Sequence, residues 1–112
     1  MEILFDRSKL QKQFNTDKLL VKDYGAGMAR KIKQRLAQLS AADRLEDLRN
    51  TPGRCHELHG NKAGQLSLDL EHPYRLIFKP ADNPPAVKEE DGGIDWKRVR
   101  KVMILGVEDT HE

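Results

Sequence analysis

The sequence predicts an α+β fold, in which an N-terminal strand and helices pack on one face of an antiparallel sheet. In the first half of the chain, apolar residues recur at the three- and four-residue spacing of helices. In the second half, leucines alternate with polar residues, which is the period of a half-buried strand. Because the helices precede the later strands as a block, they are expected on one side of the sheet. The 112 residues fit one domain, which we expect to span residues 1–112.

A strand and a short helix are predicted at the start of the chain. Residues 2–5 are mostly apolar and read as a strand. Residues 8–14 are polar except for Leu10 and Phe14, whose spacing of four places them on one side of a helix.

A longer helical pattern starts at Thr16. Gly25 and Gly27 weaken its middle, so we expect two helices that pack as a hairpin. A further short helix is predicted over residues 41–49, and the Thr-Pro-Gly turn at 51–53 ends it. The apolar positions of the long pattern are Leu20, Tyr24, Met28, Ile32, Leu36 and Leu39.

Four strands are predicted in the second half. Residues 54–58 read as the first, and the alternation of Leu66, Leu68 and Leu70 with polar residues marks the next. Residues 74–79 form the third and residues 99–107 the last. Residues 80–95 are rich in proline, glycine and acids, which indicates a solvated excursion between strands.

The charge is divided unevenly along the chain. The net charge is +2, but residues 1–56 carry 12 Lys/Arg against 7 Asp/Glu, and residues 57–112 carry 8 against 11. The positive charge of the first half suits binding to a polyanion. A helix face exposed to solvent would explain the same charge equally well. The basic face of the long helical pattern consists of Arg30, Lys31, Lys33 and Arg35.

The composition excludes several classes of protein. No stretch approaches the roughly 18 apolar residues of a membrane helix, so no membrane partner is expected. The first residues are too few and too acidic for a signal peptide. Cys55 is the single cysteine and cannot form an internal disulfide, so a reducing cytoplasm is the expected location.

Residues suited to RNA cleavage cluster on the predicted strands and their ends. Attack by a 2′-hydroxyl on its own phosphodiester needs a base, an acid and cations that stabilise the phosphorane. The candidates are His56, His59, Lys62, Arg75, Asp109 and His111.

Single residues in this group also have plainer explanations. His56 and His59 are three apart, so on a strand their imidazoles point to opposite faces, and we expect no metal site and no cofactor. His56 alone fits a half-buried strand histidine. Arg75, inside an apolar strand, either faces solvent or holds a phosphate with its planar guanidinium.

Three segments, in this order, carry a family resemblance. They are Pro-Gly-Arg-Cys-His-Glu-Leu-His-Gly-Asn-Lys-Ala-Gly-Gln at 52–65, Tyr-Arg-Leu-Ile-Phe at 74–78 and Glu-Asp-Thr-His at 108–111. Together they resemble the HigB branch of the RelE/ParE toxin superfamily over nearly the whole chain. The resemblance implies a compact RelE-like fold and a metal-independent ribonuclease that cuts messenger RNA on the ribosome. It also implies a HigA-like helix-turn-helix antitoxin as partner.

The resemblance further implies roles for individual residues. His56 would be the acid or base, Arg75 the phosphate clamp, and Asp109 with His111 would complete the catalytic site. The residues expected to contact messenger or ribosomal RNA are His59, Lys62, Lys31 and Arg35.

Two other functions are compatible with the same fold. Members of the ParE branch inhibit DNA gyrase by binding, without nuclease chemistry. His56 together with the terminal Asp-x-His argues for the nuclease, since a binder has no need of that set. Thr110 stands where the family usually has tyrosine, which leaves open a decayed toxin that only binds its antitoxin.

Overall fold

A computed structural model describes residues 1–109, which form three α-helices, five strands and two short 3₁₀ helices. The elements in chain order are β1 (Glu2–Phe5), α1 (Ser8–Phe14), α2 (Asp17–Tyr24), α3 (Ala26–Ala41), a 3₁₀ helix (Leu45–Leu48), β2 (His56–Glu57), a second 3₁₀ helix (Gly60–Lys62), β3 (Leu66–Asp69), β4 (Tyr74–Pro80) and β5 (Lys101–Asp109).

The five strands form one mixed sheet with the order β1-β5-β4-β3-β2. Strands β2 to β5 pair antiparallel, as the sequence predicts. Strand β1 pairs parallel with β5, from Glu2 opposite Lys101 to Phe5 opposite Ile104. The structure differs here from the expected antiparallel sheet with the N-terminal strand packed on one face, because β1 is an edge strand of the sheet and the sheet is mixed. The long connection through the helices makes parallel pairing possible. The predicted α+β class is confirmed.

The core lies between the helices and one face of the sheet, which we call the inner face. Leucines and isoleucines from α2 and α3 meet alternate residues of β3, β4 and β5. Burying each of these side chains contributes about 1.5–3 kcal/mol. The fully buried members are Leu20, Ile32, Leu39, Leu66, Leu68, Leu76, Phe78 and Ile104.

The predicted helical hairpin is confirmed, with Gly25 as its break. Gly25 has φ +83°, in the left-handed region that a side chain disfavours. Helices α2 and α3 then pack together, and Lys33 Nζ lies 3.0 Å from Asp17 Oδ2. The helix expected over residues 41–49 is wrong in extent, because α3 itself runs to Ala41 and only Leu45–Leu48 turns again. The amide of Leu45 bonds to the carbonyl of Val99 instead of continuing a helix.

Arg35 does not lie on the exposed basic face, and that prediction is wrong. Its residue is only 8% exposed. Its Nε donates to the carbonyl of Asp69 at 2.7 Å, and its Nη1 donates to Gln38 Oε1 at 2.7 Å. Burial lowers the pKa of Arg35, and the nearby Asp69 charge partly offsets this. Arg35 therefore ties α3 to the sheet, and its burial does not fit the expected exposed contact with RNA.

A β-bulge in β5 sets the register beside the candidate site. Ile77 pairs with Gly106 and Phe78 with Ile104, so Leu105 is the extra residue. After the bulge, Val107 shares the inner face with Ile104 although they are three apart. The bulge also places Glu108 directly opposite Arg75.

Candidate functional site

The candidate site lies on the outer face of the sheet, away from the helices. Leu66 and Leu68 point into the core, so by alternation Ser67 and Asp69 point outward. Asp69 lies opposite Arg75, and Arg75 lies opposite Glu108. The strand pairing therefore places Arg75, the predicted phosphate clamp, between the acidic residues Asp69 and Glu108.

These residues extend into a row of alternating charges, which we call the charge row. Arg54 Nε donates to Asp69 Oδ2 at 2.6 Å, and Arg75 Nε lies 3.5 Å from Asp69 Oδ1. On the other side, Lys62 Nζ donates to Glu108 Oε1 at 2.8 Å. In order, the row reads Arg54, Asp69, Arg75, Glu108 and Lys62.

Arg75 is the most buried cation of the charge row. Its side chain is 16% exposed, and its Nη1 is buried with no hydrogen-bond partner among residues 1–109. An unpartnered buried donor costs about 1–3 kcal/mol. Because this nitrogen is buried, an anion would remove that cost only after the side chains that cover it had moved.

His56 lies on the same outer face, in β2 and opposite Ser67. Its Nδ1 is 2.8 Å from the carbonyl oxygen of Arg54. Because a carbonyl only accepts, Nδ1 carries the hydrogen in the neutral ring, and Nε2 keeps its lone pair. His56 can therefore take up a proton at Nε2. It lies two strands from Arg75, or about 10 Å across the sheet.

The loop between β2 and β3 covers the middle of the outer face. Lys62 in this loop reaches Glu108 on β5, and Ser67 and Ile77 beneath this span are 0% exposed. The Ser67 hydroxyl is buried with no hydrogen-bond partner in the described part of the chain. Lys62, predicted to contact RNA, already has an ionic partner in Glu108.

The other predicted site residues lie farther apart. His59 is exposed at the start of the 3₁₀ helix in the loop, and Lys31 is half-buried on α3. Asp109 ends β5 opposite Tyr74, and alternation places it on the other face from Glu108 and Arg75. His111 and Thr110 lie outside the described residues. The structure thus brings His56, Lys62 and Arg75 together on the outer face.

Sequence reasoning missed Asp69, Arg54 and Glu108. A signal for Asp69 was present, because Asp69 and Arg75 flank the turn at His72-Pro73 and both alternate with core leucines. Arg54 carried no such signal, since its contact depends on the path of the chain before β2.

Cys55 is partly buried and packs against the core. Burial raises the pKa of its thiol to about 12. The charge of Arg49 acts in the opposite direction, and the charge of Glu57 adds to the rise. The thiol stays protonated at neutral pH and is a poor nucleophile. Trp96 anchors the loop before β5 by donating from Nε1 to Glu57 Oε2 at 2.9 Å.

Residues 1–109 contain neither a metal-binding cluster nor a membrane-spanning helix. No group of three or more His, Cys, Asp or Glu side chains within this range is arranged to hold a metal ion. No helix in the same range is long and apolar enough to cross a membrane.

Comparison with known proteins relates the chain to bacterial toxins. Residues 4–88 match the model of the HigB-like toxins, described as RelE-like toxins of the type II toxin-antitoxin system HigB. This match covers more than half of the chain and ends before Asp109. No curated protein matches.

Solved structures share the fold over the whole chain. A YoeB/ParE toxin from Agrobacterium tumefaciens superposes with a TM-score of 0.60 at 12% identity, covering 99% of this chain and 100% of that one. A YoeB dimer from Staphylococcus aureus gives 0.56 at 17% identity, covering 100% and 98%. The YoeB-YefM complex from the same species gives 0.57 at 16% identity, with the same coverage.

Proposed function

The chain belongs to the HigB-like family of RelE-like toxins of type II toxin-antitoxin systems, and from that premise we propose that it is a ribosome-dependent endoribonuclease. Its substrate would be messenger RNA in the ribosomal decoding site. The observation that supports the proposal is the presence, on one sheet face, of a histidine whose Nδ1 is held by a carbonyl and an arginine whose buried Nη1 has no partner among residues 1–109.

The proposed reaction uses the RNA's own 2′-hydroxyl. His56 Nε2 takes the proton from that hydroxyl, and its oxygen attacks the adjacent phosphorus. Arg75 stabilises the negative charge that develops on the phosphorane oxygens. The bond from phosphorus to the 5′ oxygen breaks, and this oxygen takes up a proton. The products are a 2′,3′-cyclic phosphate and a 5′-hydroxyl end, and no metal or other cofactor takes part.

Other residues would complete and support the site. His111 is proposed to start protonated and to donate its own proton to the leaving 5′ oxygen, and Asp109 to orient it. His59 and Lys31 would contact RNA phosphates, and Lys62 would do so once released from Glu108.

The proposal includes partners beyond the RNA. A toxin of this family is neutralised by an antitoxin, and the S. aureus YoeB neighbour forms a complex with YefM. The HigB-like match favours a HigA-like helix-turn-helix antitoxin for this chain. Because ribosome and messenger are the targets, the toxin would act in the cytoplasm.

Ribosome dependence is the first prediction. The outer face is a small surface that offers little groove to position RNA alone, so the ribosome must present the substrate. Purified protein added to a reconstituted translation system is expected to cut the messenger, and primer extension will locate the cuts. Equal cutting of the same messenger without ribosomes would contradict this.

A gyrase assay on the same protein decides between the two branches of the superfamily. For a ribosome-dependent ribonuclease, we expect the messenger to be cleaved and plasmid supercoiling by gyrase to be unchanged. Inhibited supercoiling with intact messenger would assign the chain to ParE-like binding. If neither activity is seen although the antitoxin binds, the chain is a decayed toxin.

A further inference from the structure

We propose that Arg54 and Asp69 form a positioning pair that holds both His56 and Arg75 for the reaction. The inference rests on the proposed function, because it assigns these two residues to the same site. Neither residue is proposed to touch the reacting atoms. They act through the two that do.

Asp69 fixes the guanidinium of Arg75 from one side. Its Oδ1 lies 3.5 Å from Arg75 Nε, and the two residues are directly opposite in the β3–β4 register. Arg75 Nη1 is buried and has no hydrogen-bond partner among residues 1–109. Contact with Asp69 at Nε thus limits the directions in which Arg75 can offer this nitrogen to a phosphate oxygen once Lys62 is released from Glu108.

Arg54 in turn fixes Asp69. Its Nε and Nη2 donate to the two carboxylate oxygens at 2.6 and 3.3 Å. This two-point contact restricts rotation of the carboxylate. The same hydrogen bond and charge raise the pKa of Arg54. Because Asp69 contacts two arginines, Arg54 still holds its carboxylate in place when RNA binds Arg75.

Arg54 also reaches His56, through its main chain. Its carbonyl oxygen is the partner of His56 Nδ1 at 2.8 Å. Arg54 is the only described non-glycine residue with positive φ, at 49°, a strained conformation that the surroundings must hold. The amide of Asp69 donates to the adjacent Gly53 carbonyl at 2.7 Å, which fastens this segment to β3. One residue thus links the proposed base to the proposed clamp.

Asp69→Asn is the central variant of the test. It removes the charge and keeps the size, and the Asp69 carbonyl remains available to Arg35. We expect kcat for ribosome-dependent cleavage to fall about 10- to 100-fold with KM little changed, since misplacing a catalytic group by about 1 Å can cost ~10² in rate. Glu46→Gln is the matched control, because it breaks a similar ion pair, Glu46 with Arg49 at 2.9 Å, away from the site.

A double-mutant cycle shows whether Asp69 acts through Arg75. In an Arg75→Ala background, Asp69→Asn is expected to cause no further fall in kcat. Independent effects that multiply would overturn the inference, as would an Asp69→Asn enzyme with unchanged kcat.

Arg54 is tested by a pair of substitutions. Arg54→Gly accepts the positive φ without strain but removes the guanidinium, and Arg54→Lys keeps the charge but not the two-point contact. Both are expected to lower kcat, the lysine variant less. Wild-type kcat in both would remove the Arg54 side chain from the proposal.

A spectroscopic measurement separates failure of this inference from failure of the proposed function. The Nε–H signal of Arg75 in NMR spectra of the isolated protein is expected to be protected from exchange, and to lose protection in Asp69→Asn but not in Glu46→Gln. Unchanged protection in Asp69→Asn overturns the positioning pair whether or not the wild-type protein cleaves RNA. A protein that shows the loss but does not cleave keeps the pair and refutes the ribonuclease.

Discussion

At the scale of single residues, the candidate site depends on contacts between strands, because Arg75 lies opposite Asp69 in the β3–β4 register and opposite Glu108 in the β4–β5 register. His56 and Arg75 were singled out from their segments, and the structure places both on the outer face. Asp69 was not singled out, because an acid alternating with core leucines also fits plain solvation. Its contact with Arg75 depends on how the β3–β4 turn sets the register, which spacing along one strand does not reveal.

Arg75→Ala is predicted to affect catalysis more than folding. Loss of one charge-stabilising donor typically costs ~10²–10³ in rate. The fold should tolerate the change, because Asp69 keeps Arg54 and Glu108 keeps Lys62 as ionic partners. Cleavage rate and Tm are measured on the same preparation. Lys79→Ala is the control, since Lys79 is an exposed cation on the same strand. Full cleavage by Arg75→Ala would refute the clamp, and unfolding would show a structural role.

At the scale of elements, α3 shows what the helical period could have revealed. Arg35 is three residues after Ile32 and four before Leu39, so it falls on the buried stripe and not on the basic face. The positive charge of Arg35 favours an exposed position, whereas its spacing from Ile32 and Leu39 indicates burial. The sequence spacing does not show where the fold has room for the Arg35 side chain. Gly53 leaves that space, because a Cβ there would lie 2.9 Å from Arg35 Nε.

The exposed part of α3 is predicted to contact the ribosome. Arg30→Glu with Lys31→Glu should weaken ribosome association, and the difference from wild type should shrink as salt is raised. Cosedimentation at two salt concentrations measures this. Lys88→Glu with Lys97→Glu changes the net charge equally at exposed positions outside α3 and should have a smaller effect. Equal losses in both double variants would mean that net charge alone, and not this helix, attracts the ribosome.

At the scale of the whole molecule, the order of elements predicted the fold class but not every strand pairing. Helical spacing followed by alternation gave helices on one face of a sheet, which the structure confirms. The parallel pairing of β1 with β5 is a contact between distant ends of the chain, so no local pattern encodes it. The sheet as a whole creates the candidate site, because β2 supplies His56, β4 supplies Arg75, and β3 and the adjoining loop hold them.

The most direct test of the proposed chemistry is the fate of a messenger that lacks one hydroxyl. A ribosome is programmed with a message carrying a single 2′-deoxynucleotide at the mapped cleavage position, and a matched all-ribose message is the control. The account predicts that the control is cut to a 2′,3′-cyclic phosphate and a 5′-hydroxyl end, and that the deoxy message stays intact at that position. Cleavage of the deoxy message there, or a 5′-phosphate on the downstream product, would contradict attack by the 2′-hydroxyl.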